Sequence, residues 1–160
     1  MATSLEELRV LRIAEGVADS IWKEVMLWDT FAQETVGRQM ARAADSIGAN
    51  IAESFGRFNF GEKVQFLYYS RGSLFETKYW LNRCANRGLL ARESVQTYSD
   101  QLTEAAKQIN KFANSIKTQK TASRSQGYGV REDQERYDTS SNENLFSESD
   151  LVARATLGNF

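Results

Sequence analysis

RQMARAADSIGANIAESFGRFNFGEKVQFLYYSRGS, residues Arg38 to Ser73, decides the fold. It opens as a helix crowded with alanines and a few polar residues, stops at Gly56, turns through a short aromatic link and starts a second helix near Phe60 or Gly61. Met40, Ala43 or Ala44, Ile47, Ile51 and Phe55 recur at spacings of three and four, which puts them on one face of a helix. The alanines permit close helix contact, and the hairpin needs further helices to bury that face.

The flanking sequence supplies them. Leu5, Leu8, Leu11, Ile13, Val17, Ile21, Val25 and Leu27 predict helix 1 over about Ser4–Trp28, with Thr3 or Ser4 as N-cap and Glu6 and Glu7 at the positive end of its dipole. Trp22 and Trp28 fit either the core or a face against a partner subunit. Asp29 and Thr30 make a short link, so helix 2 should span Phe31 to Phe55, with Gly37 a weak point near its start. Helix 3 should run to about Arg87. Its Val64, Leu67, Tyr68, Leu74, Phe75, Trp80 and Leu81 are too many for one neighbour and place it centrally or at an interface. Gly88 closes it, and Val95, Tyr98, Leu102, Ala105 or Ala106, Ile109, Phe112, Ala113 and Ile116 carry helix 4 to about Lys120. The fold class is therefore all-α, an antiparallel up-down-up-down four-helix bundle over residues 1–120.

Residues 121–160 read as a polar, acidic tail. Thr118 to Gly129 is rich in Ser, Thr, Gln, Lys and Gly, and Arg131 to Asn144 is almost wholly polar, as disordered segments are. Leu145, Phe146, Leu151, Val152, Leu157 and Phe160 then return, either as a docking motif for a protein partner or neighbouring subunit or as disorder without function.

Composition narrows the chemistry. The 160 residues are 41% hydrophobic and 26% charged, as in a globular domain, and no apolar run approaches the ~20 residues of a membrane span. The N-terminus lacks the basic and apolar regions of an export signal, and a single cysteine permits no internal disulfide, so a cytoplasmic location is expected. Residues 1–120 carry 16 Lys and Arg against 14 Asp and Glu, and residues 121–160 carry 4 against 7, so neither part has the basic excess of a dedicated nucleic-acid binder.

No histidine occurs, which removes the commonest general base and the Glu-x-x-His pairs of a di-iron bundle. Glu53 and Glu76 could face each other as a carboxylate metal site, but hydrogen-bonded structural carboxylates fit better. Ser73 and Cys84 have no histidine to activate them, and Gly48, Gly56, Gly61 and Gly72 lack the context of a phosphate loop. No catalytic residue, cofactor or metal is expected. Ser46, Asn50, Glu53 and Arg57 share one face of helix 2. Their expected partners are Arg71, Ser73 and Glu76 on helix 3, in pairs that fix the hairpin's register, with a ligand site the alternative. Arg38 with Arg42, Arg83 with Arg87, and Lys78 and Arg92 form a basic set, either a solvated face or a surface for RNA or an acidic partner.

Arg42, Ala44, Ser46, Ile47, Asn50, Ile51, Ala52, Glu53, Gly56 and Arg57, followed by Phe66, Leu67 and then Gly72, Ser73, Leu74 and Glu76, resemble a specific motif. It belongs to the four-helix-bundle proteins associated with intervening sequences of large-subunit ribosomal RNA genes, and the wider helical pattern extends the likeness over about residues 5–119. Gly48 stands where that family usually has proline, and Ser54 where it has glycine. The resemblance implies a left-handed bundle that assembles as a ring, commonly a homopentamer, with no established enzymatic activity. A related branch, the accessory variability proteins of diversity-generating retroelements, pairs with a reverse transcriptase and binds nucleic acid through a strongly basic surface. The near-neutral bundle argues against a direct copy of that role. A non-enzymatic oligomeric scaffold or accessory module acting through protein or RNA is therefore expected.

Overall fold

In the computed structural model, residues 5–125 are described, with side chains for residues 9–123, and all of them fall within one compact unit. The described residues form four long helices and contain no strand. Helix α1 is Leu5–Val25, α2 is Arg38–Gly56, α3 is Phe60–Asn86 and α4 is Arg92–Ser125. A short turn of helix, Thr30–Ala32, and a π-helical segment, Gln33–Gly37, lead directly into α2.

Each helix packs on two others, α2 on α1 and α3, and α4 on α3 and α1, around a single core. Cross-contacts descend one helix as they climb the next. Met40 and Ile47 of α2, and Arg57 just past its end, meet Cys84, Ser70 and Phe66 of α3, and Lys78, Arg71 and Tyr68 of α3 meet Thr103, Asn110 and Lys117 of α4. Val10, Val17, Ile21, Met40, Ile47, Ile51, Leu67, Leu74, Leu81, Leu102 and Ile109 are fully buried, so the three-four spacing selects the interior on all four helices. Phe55 stacks on Phe112 with centroids 5.8 Å apart and closes the end where α2 stops.

The boundaries differ from the sequence expectation in three places. Helix α1 ends at Val25, because Leu27 and Trp28 N–H groups bond to Glu24 and Val25 carbonyls in tight turns. Regular α-helix starts only at Arg38, after the π-helical segment Gln33–Gly37, so Gly37 ends an irregular stretch, as the sequence indicates. A Cβ placed there would lie 2.7 Å from Val25 Cγ1 and 3.0 Å from the Ala32 carbonyl oxygen, so glycine lets the end of α1 approach the π segment. Helix α4 continues five residues beyond Lys120, since Thr118 to Ser125 holds no glycine or proline and Thr118, Thr121 and Ser123 hydroxyls bond back to carbonyls one turn earlier.

The other ends are as the sequence indicates. Helix α2 stops at Gly56, and Arg57 is extended. Gly88 adopts φ +71° while its N–H bonds to Ala85 and that of Leu89 to Cys84, the paired bonds of a Schellman stop. Gly48 sits within uninterrupted helix, half-buried against Leu11 of α1. No described helix is long and apolar enough to cross a membrane. The tail reading from residue 126 onward, with Leu145, Phe146, Leu151, Val152, Leu157 and Phe160, lies outside the described residues.

Candidate interaction surface

The polar residues of the hairpin lie along the outer edge of the α2–α3 seam. They do not pair across it. Ser46 donates to the Arg42 carbonyl at 2.7 Å, Asn50 to the Ser46 carbonyl at 2.8 Å, and Arg57 forms an ion pair with Glu53, all within one turn of α2. On α3, Ser73 donates to the Tyr69 carbonyl at 3.1 Å and Glu76 accepts from Trp80 Nε1 at 3.4 Å. Arg71 turns the other way, to Asn110 of α4 at 3.1 Å. The expected register pairing is therefore corrected. Half-exposed groups satisfy themselves locally or in water, and register falls to groups inside the seam.

Those inner groups were not singled out from the sequence. Ser70, Thr77 and Ser54 are buried, and Ser70 donates to the Ile47 carbonyl of α2 at 2.8 Å. Thr77 and Ser54 bond to carbonyls of their own helices, Ser73 and Ile51. For Ser70 and Thr77, positions among Leu67, Leu74 and Leu81 at three-four spacing were the available signal.

The two carboxylates considered as metal ligands are both engaged at the surface, Glu53 with Arg57 and Glu76 with Trp80. Among the described residues no group of three or more His, Cys, Asp or Glu could hold a metal. Cys84 is fully buried with Sγ 3.7 Å from Met40 Sδ, and burial pushes its thiol up to about 11 against the weaker opposing pull of Arg87. A thiol in that environment is a core side chain rather than a nucleophile.

The basic set divides. Arg38, Arg42, Arg87 and Arg92 are exposed at the end of the bundle where α2 begins and α3 finishes, and Arg83 is half-buried there. Glu34 and Asp45 flank Arg38 and Arg42 in sequence and Glu93 follows Arg92, so this end carries mixed charge. Lys78 does not belong to an open surface. It is half-buried and donates to Thr103 Oγ1 at 2.7 Å, and burial holds its ammonium below the usual lysine range against the weaker effect of Asp100.

Large apolar side chains are exposed instead at the corner between α1 and α2. Trp22 is 56% exposed, Met26 57%, Leu27 83% and Phe31 79%. The corner is firmly held. Gln33 Nε2 donates to the carbonyls of Met26 at 3.2 Å and Trp28 at 2.9 Å, Asp29 Oδ1 accepts from the Ala32 N–H at 2.9 Å, and Trp28 packs on the core. Of the two tryptophans, then, Trp28 is structural and Trp22 faces outward. Tyr69 and Tyr79 on α3 add a second exposed aromatic face.

Comparison with solved structures finds a protein of unknown function from the S23 ribosomal protein family of Bacteroides thetaiotaomicron. It is 23% identical, with a TM-score of 0.60 over 69% of this chain and 99% of that one, a likeness of fold. Comparison with curated proteins gives no match. The model of the 23S rRNA-intervening sequence protein family matches residues 6–111, most of the bundle and about two thirds of the chain. The chain belongs to the 23S rRNA-intervening sequence protein family.

Proposed function

We propose that this protein is a non-enzymatic, oligomeric bundle that serves in the cytoplasm as a scaffold or accessory module, acting through binding. One observation carries the reading. Four large apolar side chains, Trp22, Met26, Leu27 and Phe31, stand more than half exposed on a corner that Gln33 and Asp29 hold in place. Contiguous exposed apolar surface on a rigid support is the mark of a contact between macromolecules. The lack of histidine and the buried, protonated Cys84 support a role without catalysis.

Mass measurement in solution tests the assembly. An oligomer, with the pentamer favoured by the family resemblance, is expected, and Leu27→Glu with Phe31→Glu should dissociate it while helicity is retained. A monomer across a wide concentration range would overturn the proposal. The apolar segment at residues 145–160 is a second protein-binding element in this reading, and deleting residues 126–160 should leave the bundle folded and its partner lost.

A second reading, an RNA-binding accessory subunit of the kind that serves a reverse transcriptase, draws support from the charge on α4. Lys107, Lys111, Lys117 and Lys120 follow one another there without an intervening acid. Binding of structured RNA at low salt tests it.

A further inference from the structure

The mixed charge at the end of the bundle where α1 finishes is sorted by side. Residues 19–35, the end of α1 and its corner with α2, hold Asp19, Glu24, Asp29 and Glu34 against Lys23 alone. Residues 77–92, the last part of α3 and the link to α4, hold Lys78, Arg83, Arg87 and Arg92 and no acid. Glu24 accepts from Tyr98 at 3.4 Å and Lys78 donates to Thr103 at 2.7 Å, which leaves three acids on the first stretch and three arginines on the second. Arg38 and Arg42 stand between the two, on the side of α2 opposite its buried Met40, Ala44 and Ile47.

Both stretches also expose large apolar side chains. The corner has Trp22, Met26, Leu27 and Phe31, while on α3 the exposed Tyr79 lies edge-on to half-buried Trp80 with centroids 5.0 Å apart. Trp80, Arg83 and Arg87 follow at spacings of three and four, and Tyr79 is one turn before Arg83, so aromatic rings and guanidinium groups share an outward face. The two surfaces are level with one another. Gly37 sits against Val25 at the end of α1, and Met40, three residues on, touches Cys84 near the end of α3. Three helical residues rise only about 4.5 Å. Because α2 and α4 each pack on both α1 and α3, the latter two stand diagonally across the bundle, and their outward faces point apart within one copy.

We propose that the corner of one copy seats on the Tyr79–Trp80 face of the next, with Asp29 and Glu34 toward Arg83 and Arg87. The proposal rests on the oligomeric reading above and names the surface that the corner meets. Charge complementarity identifies the occupant as a second copy. An apolar knob ringed by carboxylates matches an aromatic face ringed by arginines, and Trp, Tyr, Met and Arg are the residue types enriched at interface centres. A contact between two different patches is heterologous, so every copy offers one knob and one socket. With both at the same height, successive copies turn into a ring and do not climb into a filament.

Mixing two interface variants of the full-length chain tests the pairing by mass measurement in solution. Leu27→Glu with Phe31→Glu spoils the knob, and Tyr79→Glu with Arg87→Glu spoils the socket. All four positions are exposed, so helicity should be retained. Each variant alone should fall to the single-chain mass of 18.1 kDa. Mixed in equal amounts, they should form a complex of one copy of each and nothing larger, because only the socket of the first and the knob of the second remain intact. A socket variant that keeps the parent's oligomer means that the corner meets another surface of its neighbour, and it overturns the pairing while the oligomeric reading stands. A mixture of folded variants that stays monomeric overturns it in the same way. A parent that is itself monomeric leaves the corner to a different protein and overturns both.

Discussion

Ser70 of α3 donates its hydroxyl to the backbone carbonyl of Ile47 on α2 at 2.8 Å, from a side chain that is fully buried. The bond ties the two helices of the family hairpin at mid-height, between the Met40–Cys84 contact at one end and the Arg57–Phe66 contact at the other. The hydrogen bonds of Ser46, Asn50, Ser73 and Glu76, by contrast, stay within their own helices. Ser70→Ala should therefore cost about 1 kcal/mol, the usual net worth of a hydrogen bond whose acceptor retains its helical partner. Asn50→Ala and Ser73→Ala, which remove only local bonds at the surface, should stay within about 0.5 kcal/mol of the parent. Urea unfolding at constant slope measures all three. A larger loss at Asn50 than at Ser70 would return the register to the outer line.

That contrast shows what the sequence could convey. Helical period and glycine stops are local properties, so the four helices, most of the core and the Gly88 turn were legible from spacing alone, whereas on α1 the buried Val10 was passed over for Leu11, and Leu27, counted with the apolar set, stands exposed. A stripe of polar residues at helical spacing is equally legible, but spacing does not say whether the stripe points into a seam or along its rim. Ser46, Asn50 and Glu53 lie on the rim, while Ser70 and Thr77 lie inside because leucines flank them at the buried angle. Charge behaved similarly. The arginine pairs drew notice as pairs, yet Glu34, Asp45 and Glu93 flank them in sequence, while Arg71 and Lys117 are brought together only by Tyr68 of α3. The π-helical segment had no local signal beyond Gly37, because its geometry answers to the position of Val25 on another helix.

Gly37 provides a sharp test of that segment. Its absent side chain leaves room for Val25 Cγ1, which would stand 2.7 Å from an added Cβ, while the Ala32 carbonyl would stand 3.0 Å away. The valine can shift slightly, but a backbone carbonyl inside a helical turn cannot move without opening the turn. Gly37→Ala should destabilise the fold by about 1–3 kcal/mol, the range for overpacking a close contact, despite alanine's better helix propensity. Gly16→Ala, where nothing lies within 4 Å of the new Cβ, should instead be neutral or stabilising by up to about 1 kcal/mol. Thermal unfolding of the pair separates packing from propensity, and a stabilised Gly37→Ala would show that the corner is looser than its contacts indicate.

Asp45 of α2 sets a pH dependence at the α1–α2 face. Partial burial, and then the charge of Asp19 on α1, hold its carboxyl above the ordinary 3.8. A native pKa above the unfolded one means that the folded state binds this proton more readily, so the contribution to stability is most favourable below the ordinary value and is lost as pH rises through the raised one. At neutral pH both carboxylates are charged and the pair opposes folding. Asp19→Asn removes the electrostatic cause while leaving the burial. It should raise stability at pH 7 by less than about 1 kcal/mol, because solvent screens groups this exposed. The gain should shrink as salt is added and vanish below pH 3.8, where Asp45 is protonated in both states. Unfolding of parent and variant at several pH values checks the sign. A variant less stable than the parent at neutral pH would mean that Asp19 serves a favourable contact outweighing its repulsion of Asp45.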